Sequence, residues 1–174
     1  MKSLIYWGIS LPILLFAKIL KVLNYDNLND DLEKCKKYIG DNKVNNIPDT
    51  FVIYLVAAED HRFYFHHGID QIAILRAIYV KKLKNKYQGA STIEQQFVRV
   101  ITGRYEKTKQ RKFREQLLAL LLDGVIRDKN SIAKTYLEVA FYGSGLEGIQ
   151  QFIKRKKCTL SGLSVDDSVE LIAR

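Results

Sequence analysis

Cysteine occurs only twice in the 174 residues, at Cys35 and Cys158, too few and too widely spaced to frame a disulfide-stapled fold or a zinc site. Both read as small apolar side chains, with pairing open to them only in an oxidising compartment and only if the two meet. Proline is equally scarce, at two residues, and glycine reaches ten, which argues for a helical protein rather than a loop-rich one. Several catalytic signatures are also missing. There is no G-x-x-x-x-G-K-S/T phosphate loop, no G-x-S-x-G elbow and no Cys–His nucleophile arrangement. His61, His66 and His67 stand beside Glu59 and Asp60 without the H-E-x-x-H register of a helical zinc site, so the region is read without a metal. No internal repeat, low-complexity tract or second domain is visible, and the length suits one buried core.

What is present is positive charge. The net charge of +9 favours anionic partners: nucleic acid, a phospholipid surface or a phosphorylated ligand. Residues Leu4 to Leu23 cover 20 mostly apolar positions, with Lys18 and Lys21 near one end, which reads as an uncleaved membrane anchor over residues 1–23. An amphipathic helix lying in the interface is the competing reading, on account of Pro12 and the two lysines. Lysines gather after this segment rather than before it, so the positive-inside rule alone would leave the rest of the chain in the cytoplasm. Residues 24–47 are polar and read as a connector with one short helix near Asp31 to Tyr38.

From residue 48 to 174 the pattern is helical. Pro48 and Asp49 open a helix through Asp60 whose unbroken apolar run, Phe51 to Ala58, implies burial all round. Glu59 and Asp60 then lie at the edge of something buried, where desolvation suits a carboxylate to proton transfer; a plain helix end with solvated histidines explains the same residues. Asp70 can cap a helix to about Asn85, on which Ile72, Leu75, Ile78, Tyr79 and Leu83 recur at helical spacing before the basic end Lys81 to Lys86. Ser91 and Glu94 form a capping-box pattern for the next helix. A long helix from Thr108 to Arg127 opens with Arg111, Lys112, Arg114 and Glu115, and four-residue spacing puts Arg111 and Glu115 on one face. Asp128 starts another helix, the series Gly143, Gly145 and Gly148 ends it, a basic helix follows to about Lys157, and Ser164 with Asp167 can cap a last one. Because the Arg111 cluster runs into leucines and follows an apolar segment, nucleic acid is set aside. Two carboxylates from separate helices, Glu59 and Glu115, suit chemistry at a sugar carbon, and neighbouring cations suit a phosphate leaving group.

Four ordered motifs carry a resemblance. They are Glu59-Asp60-x-x-Phe63-x-x-His66-x-Gly68; Gly89-x-Ser91-Thr92-Ile93-x-Gln95-Gln96; Arg111-Lys112-x-x-Glu115; and Lys129-x-x-Ile132-x-x-x-Tyr136-Leu137 with its glycines. Together, from about Pro48 to Ala173, they resemble the peptidoglycan glycosyltransferases, glycosyltransferase family 51, found as monofunctional transglycosylases and as the polymerase domain of class A penicillin-binding proteins. The resemblance implies an all-α, lysozyme-like domain, partly sunk in the bacterial cytoplasmic membrane behind a single-pass anchor and facing outward, which overrides the charge-bias argument. It implies polymerisation of lipid II, with Glu59 as the base on the acceptor hydroxyl, Glu115 assisting on the donor side, and inversion as undecaprenyl pyrophosphate leaves. Arg99, Arg111 and Lys112 are expected to hold the pyrophosphate, and Asp60, His66, Ser91, Thr92, Gln95 and Gln96 to complete the substrate site. No cofactor is required, though a divalent Mg or Mn ion at the pyrophosphate is compatible. The implied partners are lipid II, the growing glycan strand, membrane lipid, and proteins of cell-wall synthesis or secretion. A lysozyme-like lytic enzyme and a lipid II-binding scaffold without turnover are the alternatives. Three departures from the family pattern stand out: Arg99-Val100 in place of Lys-Asn, Glu138 in place of Asn, and a loose fifth motif over Asp167 to Arg174. At this length no transpeptidase domain is expected in the chain.

Overall fold

Side-chain caps and apolar periodicity decide where the helices of this chain start and which faces they bury. The computed structural model describes residues 2–41, 47–141 and 148–156, with the side chains of residues 2–5 and 156 left aside. Within these lie α1 (Lys2–Val22), a 3-10 turn (Tyr25–Asn27), α2 (Leu28–Asp41), α3 (Asp49–Glu59), α4 (Gln71–Lys84), α5 (Ile93–Thr102), α6 (Lys109–Val125), α7 (Lys129–Val139) and α8 (Gly148–Lys156). The described residues contain no β-strand, in keeping with the all-α expectation. Asp70 caps α4 by accepting from the Ala73 amide at 2.8 Å, Thr108 caps α6 from Arg111 at 3.1 Å, and Asp128 caps α7 from Asn130 at 3.0 Å. The start of α5 differs from expectation. Thr92, not Ser91, is the cap, accepting from the Gln95 amide at 3.3 Å, and no capping box forms because the Glu94 carboxylate turns inward to Lys129.

Two apolar clusters meet at α5. The first joins Phe51, Val52 and Leu55 of α3 to Phe63, Ile93, Leu137, Ile149 and Phe152. The second joins Leu28, Leu32 and Cys35 of α2 to Phe97, Val98, Leu117, Leu118, Leu121, Leu122 and Ile132. Ile93 of α5 serves the first cluster and Phe97, Val98 and Ile101 the second, while Tyr136 of α7 packs against both. Each buried Leu or Phe side chain contributes about 1.5–3 kcal/mol by leaving water, so α5 cannot shift without disturbing both halves.

The segment expected to connect carries α2, longer than the short helix foreseen, and its apolar face belongs to the second cluster. Buried Arg114 of α6 clasps the preceding corner: its guanidinium donates to the carbonyls of Asp26 and Asn27 and pairs with the carboxylates of Asp26 and Asp31. Cys35 is fully buried, with its thiol pushed up to about 12 by desolvation; Cys158, the fifth motif and the last foreseen helix lie outside the described residues, as do Gly143 and Gly145.

Three apolar runs sit differently from their sequence reading. α3 is not buried all round, since Ile53 is 61% exposed and Ala57 and Ala58 face out beside it. On α4 the face Ile72, Leu75, Ile78, Tyr79 and Leu83 is turned outward, Leu75 being 66% exposed, while Gln71 and Ala73 are the buried residues. α1 docks by one face, with Tyr6, Ser10 and Ala17 buried, Tyr6 Oη donating to Asp70 at 3.1 Å and Ser10 Oγ accepting from Gln71 at 2.7 Å. Its other face exposes Trp7, Leu15, Ile19 and Val22. Among the described residues no single helix is long and apolar enough to cross a membrane; the segments Tyr6–Val22 and Tyr25–Asp41, bent by 111°, reach that length and composition only as a pair.

The loop from α3 to α4 is pinned by Gly68, whose φ of +72° is left-handed and whose missing side chain lets the loop touch α6. A Cβ there would overlap the carbonyl of Ala119 and lie 2.8 Å from the amide nitrogen of Leu120. Gly68→Ala is therefore expected to cost about 1–3 kcal/mol in strain alone, read as a lowered denaturant midpoint by circular dichroism. An unchanged midpoint would mean that the loop does not need this contact.

Candidate active site

The residues singled out from the sequence fall into two linked groups, both organised by α5. Buried Gln95 and its neighbours Gln96 and Arg99 lie within little more than one turn of it, so they reach neighbouring helices on either side.

On the α6 side the centre is Glu115, whose side chain is 3% exposed. Arg99 grips it with both arms of its guanidinium, Nε at 2.9 Å and Nη2 at 3.1 Å. Arg111, one turn earlier on α6, and Lys112 complete the shell, as the four-residue spacing foresaw. Lys112 Nζ also donates to Ser91 Oγ at 2.9 Å and to Gln95 Oε1 at 2.6 Å. Burial pushes the Glu115 carboxyl up, but hydrogen bonds from Arg99 and Lys112 and the charges behind them outweigh it, holding the group below the usual carboxylate range. Burial brings the Lys112 ammonium down, opposed by Glu115 and reinforced by Arg99 and Arg111. The hydrogen bond to Glu115 pushes Arg99 up. Three cations surround one anion, and the surplus positive charge makes this a place for an anionic ligand. Arginine at position 99 has a geometric consequence here, since a lysine has no fork with which to bind Glu115 bidentately.

On the other side Glu59 stands at the end of α3, exposed rather than bordered by apolar side chains, so the desolvation expected from the sequence is absent. The reason is that α3 turns its Ala57–Glu59 end outward. Gln96 Nε2 donates to Glu59 Oε2 at 3.0 Å, and Gln96 Oε1 accepts from Tyr136 Oη at 2.7 Å. Burial, then the Glu59 charge, pushes the Tyr136 hydroxyl up to about 12, so it stays a donor. This relay leaves Glu59 Oε1 without a partner among the described residues.

Three other expected site residues hold the frame. Asp60 is buried and accepts from His66 Nε2 at 2.9 Å and from the Ile93 amide at 3.2 Å. His66 is buried beside the Phe63 ring. Thr92 Oγ1 donates to the Gly68 carbonyl at 2.8 Å while capping α5. Nearby Lys129 Nζ reaches the Glu94 carboxylate, Asp123 Oδ1 at 2.9 Å and the His66 carbonyl at 3.1 Å. Burial would bring this ammonium down, but Glu94 and Asp123 hold it above its usual range.

Asp60, His66 and Glu94 offer ligand atoms within 4.8 Å of one another. Their donor set does not suit a divalent ion, because a lysine ammonium already neutralises Glu94 and the imidazole already faces both oxygens of Asp60. The Glu94–Lys129–Asp123 triad had no role in the sequence reading. A signal was there: Glu94 lies in the same helical register as buried Phe97, Val98 and Ile101, and Lys129 in that of Ile132 and Ala133, charges on faces otherwise apolar.

Beside the cluster a cavity of about 470 Å³ runs between α4 and α6. Ile74, Ala77 and Ile78 form one wall, and Lys81, Lys82 and Lys112 supply cations.

The model of the family described as Transglycosylase matches residues 31–171. Similar proteins include penicillin-binding protein 1A of Aquifex aeolicus (strain VF5), 37% identical over 108 residues, covering 62% of this chain and 15% of that protein. Penicillin-binding protein 1F of Bacillus subtilis (strain 168) is 39% identical over 110 residues, covering 62% and 15%. Penicillin-binding protein 1A of Haemophilus influenzae (strain ATCC 51907 / DSM 11121 / KW20 / Rd) is 39% identical over 108 residues, covering 62% and 12%. The chain thus spans a small part of the length of these relatives. A family match over most of its residues, together with motifs that fold into one cleft, means that the chain belongs to the transglycosylase family, the peptidoglycan glycosyltransferases.

Proposed function

We propose that this chain polymerises lipid II, extending a glycan strand and releasing undecaprenyl pyrophosphate. The observation that carries the reading is the surplus positive charge around Glu115. Arg99, Arg111 and Lys112 outnumber the carboxylate they enclose, and Lys112 opens onto the apolar cavity beside α4. An anionic head with a long apolar tail fits that pairing, with the pyrophosphate on the cations and the tail along α4.

Glu59 is the base in this reading. Its Oε1 takes the proton from the acceptor's sugar hydroxyl, and the freed oxygen attacks the anomeric carbon of the donor. The bond from that carbon to the pyrophosphate breaks, the configuration inverts, and the cations receive the leaving group's charge. Gln96, held by Tyr136, orients the carboxylate. Glu115 is not a proton donor here: clamped as an anion, it sets the positions of three long cationic side chains before the substrate arrives. The outward apolar faces of α1 and α4, with Lys81, Lys82 and Lys84 at the end of α4, lie in and against a lipid surface on the outer side of the cytoplasmic membrane. No metal is needed for the charge balance, though a divalent ion riding on the pyrophosphate is compatible with it.

Two experiments bear on this. Purified protein given labelled lipid II is expected to form glycan polymer, and Glu59→Gln to lower the rate by about 10²–10⁴-fold with donor binding retained, as judged by gel analysis of product and by equilibrium binding. Binding without polymer in the wild type would point instead to a lipid II-binding scaffold, and shortened glycan from preformed strands to a lytic enzyme. The second reads stability. Because the folded Glu115 carboxyl sits below its unfolded value of about 4.3, its stabilising contribution is fully present above that pH and is lost as pH falls through the lower folded value. Glu115→Gln is expected to cost about 3 kcal/mol at pH 7 by leaving partly buried cations uncompensated. The gap between wild type and variant in denaturant unfolding should narrow as pH drops below about 4; a gap independent of pH would refute the anionic clamp.

A further inference from the structure

A second cavity, of about 340 Å³, lies between α1 and the far half of α6. Gly124 on its wall is nine residues beyond Glu115, about 13 Å along the helix at 1.5 Å per residue, and it shares no lining residue with the cavity beside α4. One side is apolar, made by Trp7, Leu11, Leu14 and Leu120. The other end is polar, made by His67, Asp123 and Arg127. Both oxygens of Asp123 are already engaged, one by Lys129 at 2.9 Å and the other by His67 Nδ1 at 3.1 Å. That leaves His67 Nε2 buried without a hydrogen-bond partner and Arg127 without an ion pair among the described residues. The groups left without partners at this end are therefore the Arg127 guanidinium and one imidazole nitrogen, and the guanidinium suits a phosphate.

We infer that this cavity binds one anionic phospholipid of the surrounding membrane, an acyl chain against Trp7, Leu11, Leu14 and Leu120 and the phosphate on Arg127, beside His67. The occupant must come from an apolar phase, because the cavity adjoins the exposed face of α1 that carries Trp7 and Leu15. An anion suits the polar end, because the Arg127 guanidinium has no ion pair among the described residues while both oxygens of Asp123 are engaged. Such a lipid would fill the seam between α1 and the domain, leaving the donor cluster untouched. This rests on the reading that the outer face of α1 lies in the membrane.

The test uses the full chain in vesicles of phosphatidylcholine doped with either phosphatidylglycerol or phosphatidylcholine bearing a photoreactive acyl chain, with labelled peptides mapped by mass spectrometry. The peptide spanning Leu120 to Arg127 is expected to take label several-fold more from phosphatidylglycerol. Leu14→Trp, which fills the apolar side, should remove that label while the label on Ile19 and Val22 persists. Arg127→Glu, at an exposed position, should erase the preference for the anionic lipid without altering the circular dichroism spectrum. Equal labelling by both lipids, or labelling that neither variant changes, overturns the site alone. Failure of the wild type to sediment with vesicles overturns the membrane reading of α1 and the site with it.

Discussion

The Glu115 carboxylate, removed from water and closed in by three cations, is the constraint on which the cleft depends. A buried anion of this kind must be paired, and its partners come from both sides: Arg99 from α5, Arg111 and Lys112 from α6. The interaction therefore fixes the spacing of the two helices that carry the donor side. It also freezes three flexible side chains whose disorder would otherwise have to be removed when substrate binds. The pairing leaves surplus charge, so the same contact that orders the site also leaves it able to attract an anion.

The acceptor side is ordered differently. In the proposed reading its chemistry rests on Glu59 at an exposed helix end, and its order comes from the interior behind it. Asp60, the next residue, is tied to His66 and the start of α5. Lys129 ties the same loop to Glu94 and Asp123, and Gly68 lets the loop close on α6. Neighbouring residues in one motif thus divide their tasks, one facing the cleft and one facing the core. α5 joins the sides: Gln95 accepts from Lys112 while Gln96 donates to Glu59, so a displacement of this helix would be felt by Glu59 and by the Glu115 cluster together.

The helical class, the cap at Asp70, the helix starts near Thr108 and Asp128, and the Arg111–Glu115 pairing were legible because each follows from the pattern along one helix. Contacts between helices were not. Nothing local in Ser91-Thr92-Ile93-Glu94 says that Glu94 will leave its capping role for a lysine 35 residues away. Periodicity failed in a more instructive way on α4. Ile72, Leu75, Ile78, Tyr79 and Leu83 form an apolar stripe whether the stripe meets a protein core or a lipid phase, and here it meets no core. The polar connector misled for the opposite reason: few apolar residues, Leu28, Leu32 and Cys35, suffice when all fall on one face.

Exposure of Glu59 bears on how such a base is tuned. Here the apolar surroundings that raise basicity are not supplied by α3, whose Ile53 and Ala57 face outward. They would be supplied by what binds: a glycan and a lipid surface closing over the cleft exclude water from Glu59, while Gln96 and Tyr136 keep its orientation. In the reading proposed above, water is kept from Glu59 only when both substrates are in place. In this arrangement the protein contributes orientation in advance and the bound substrates contribute the low dielectric.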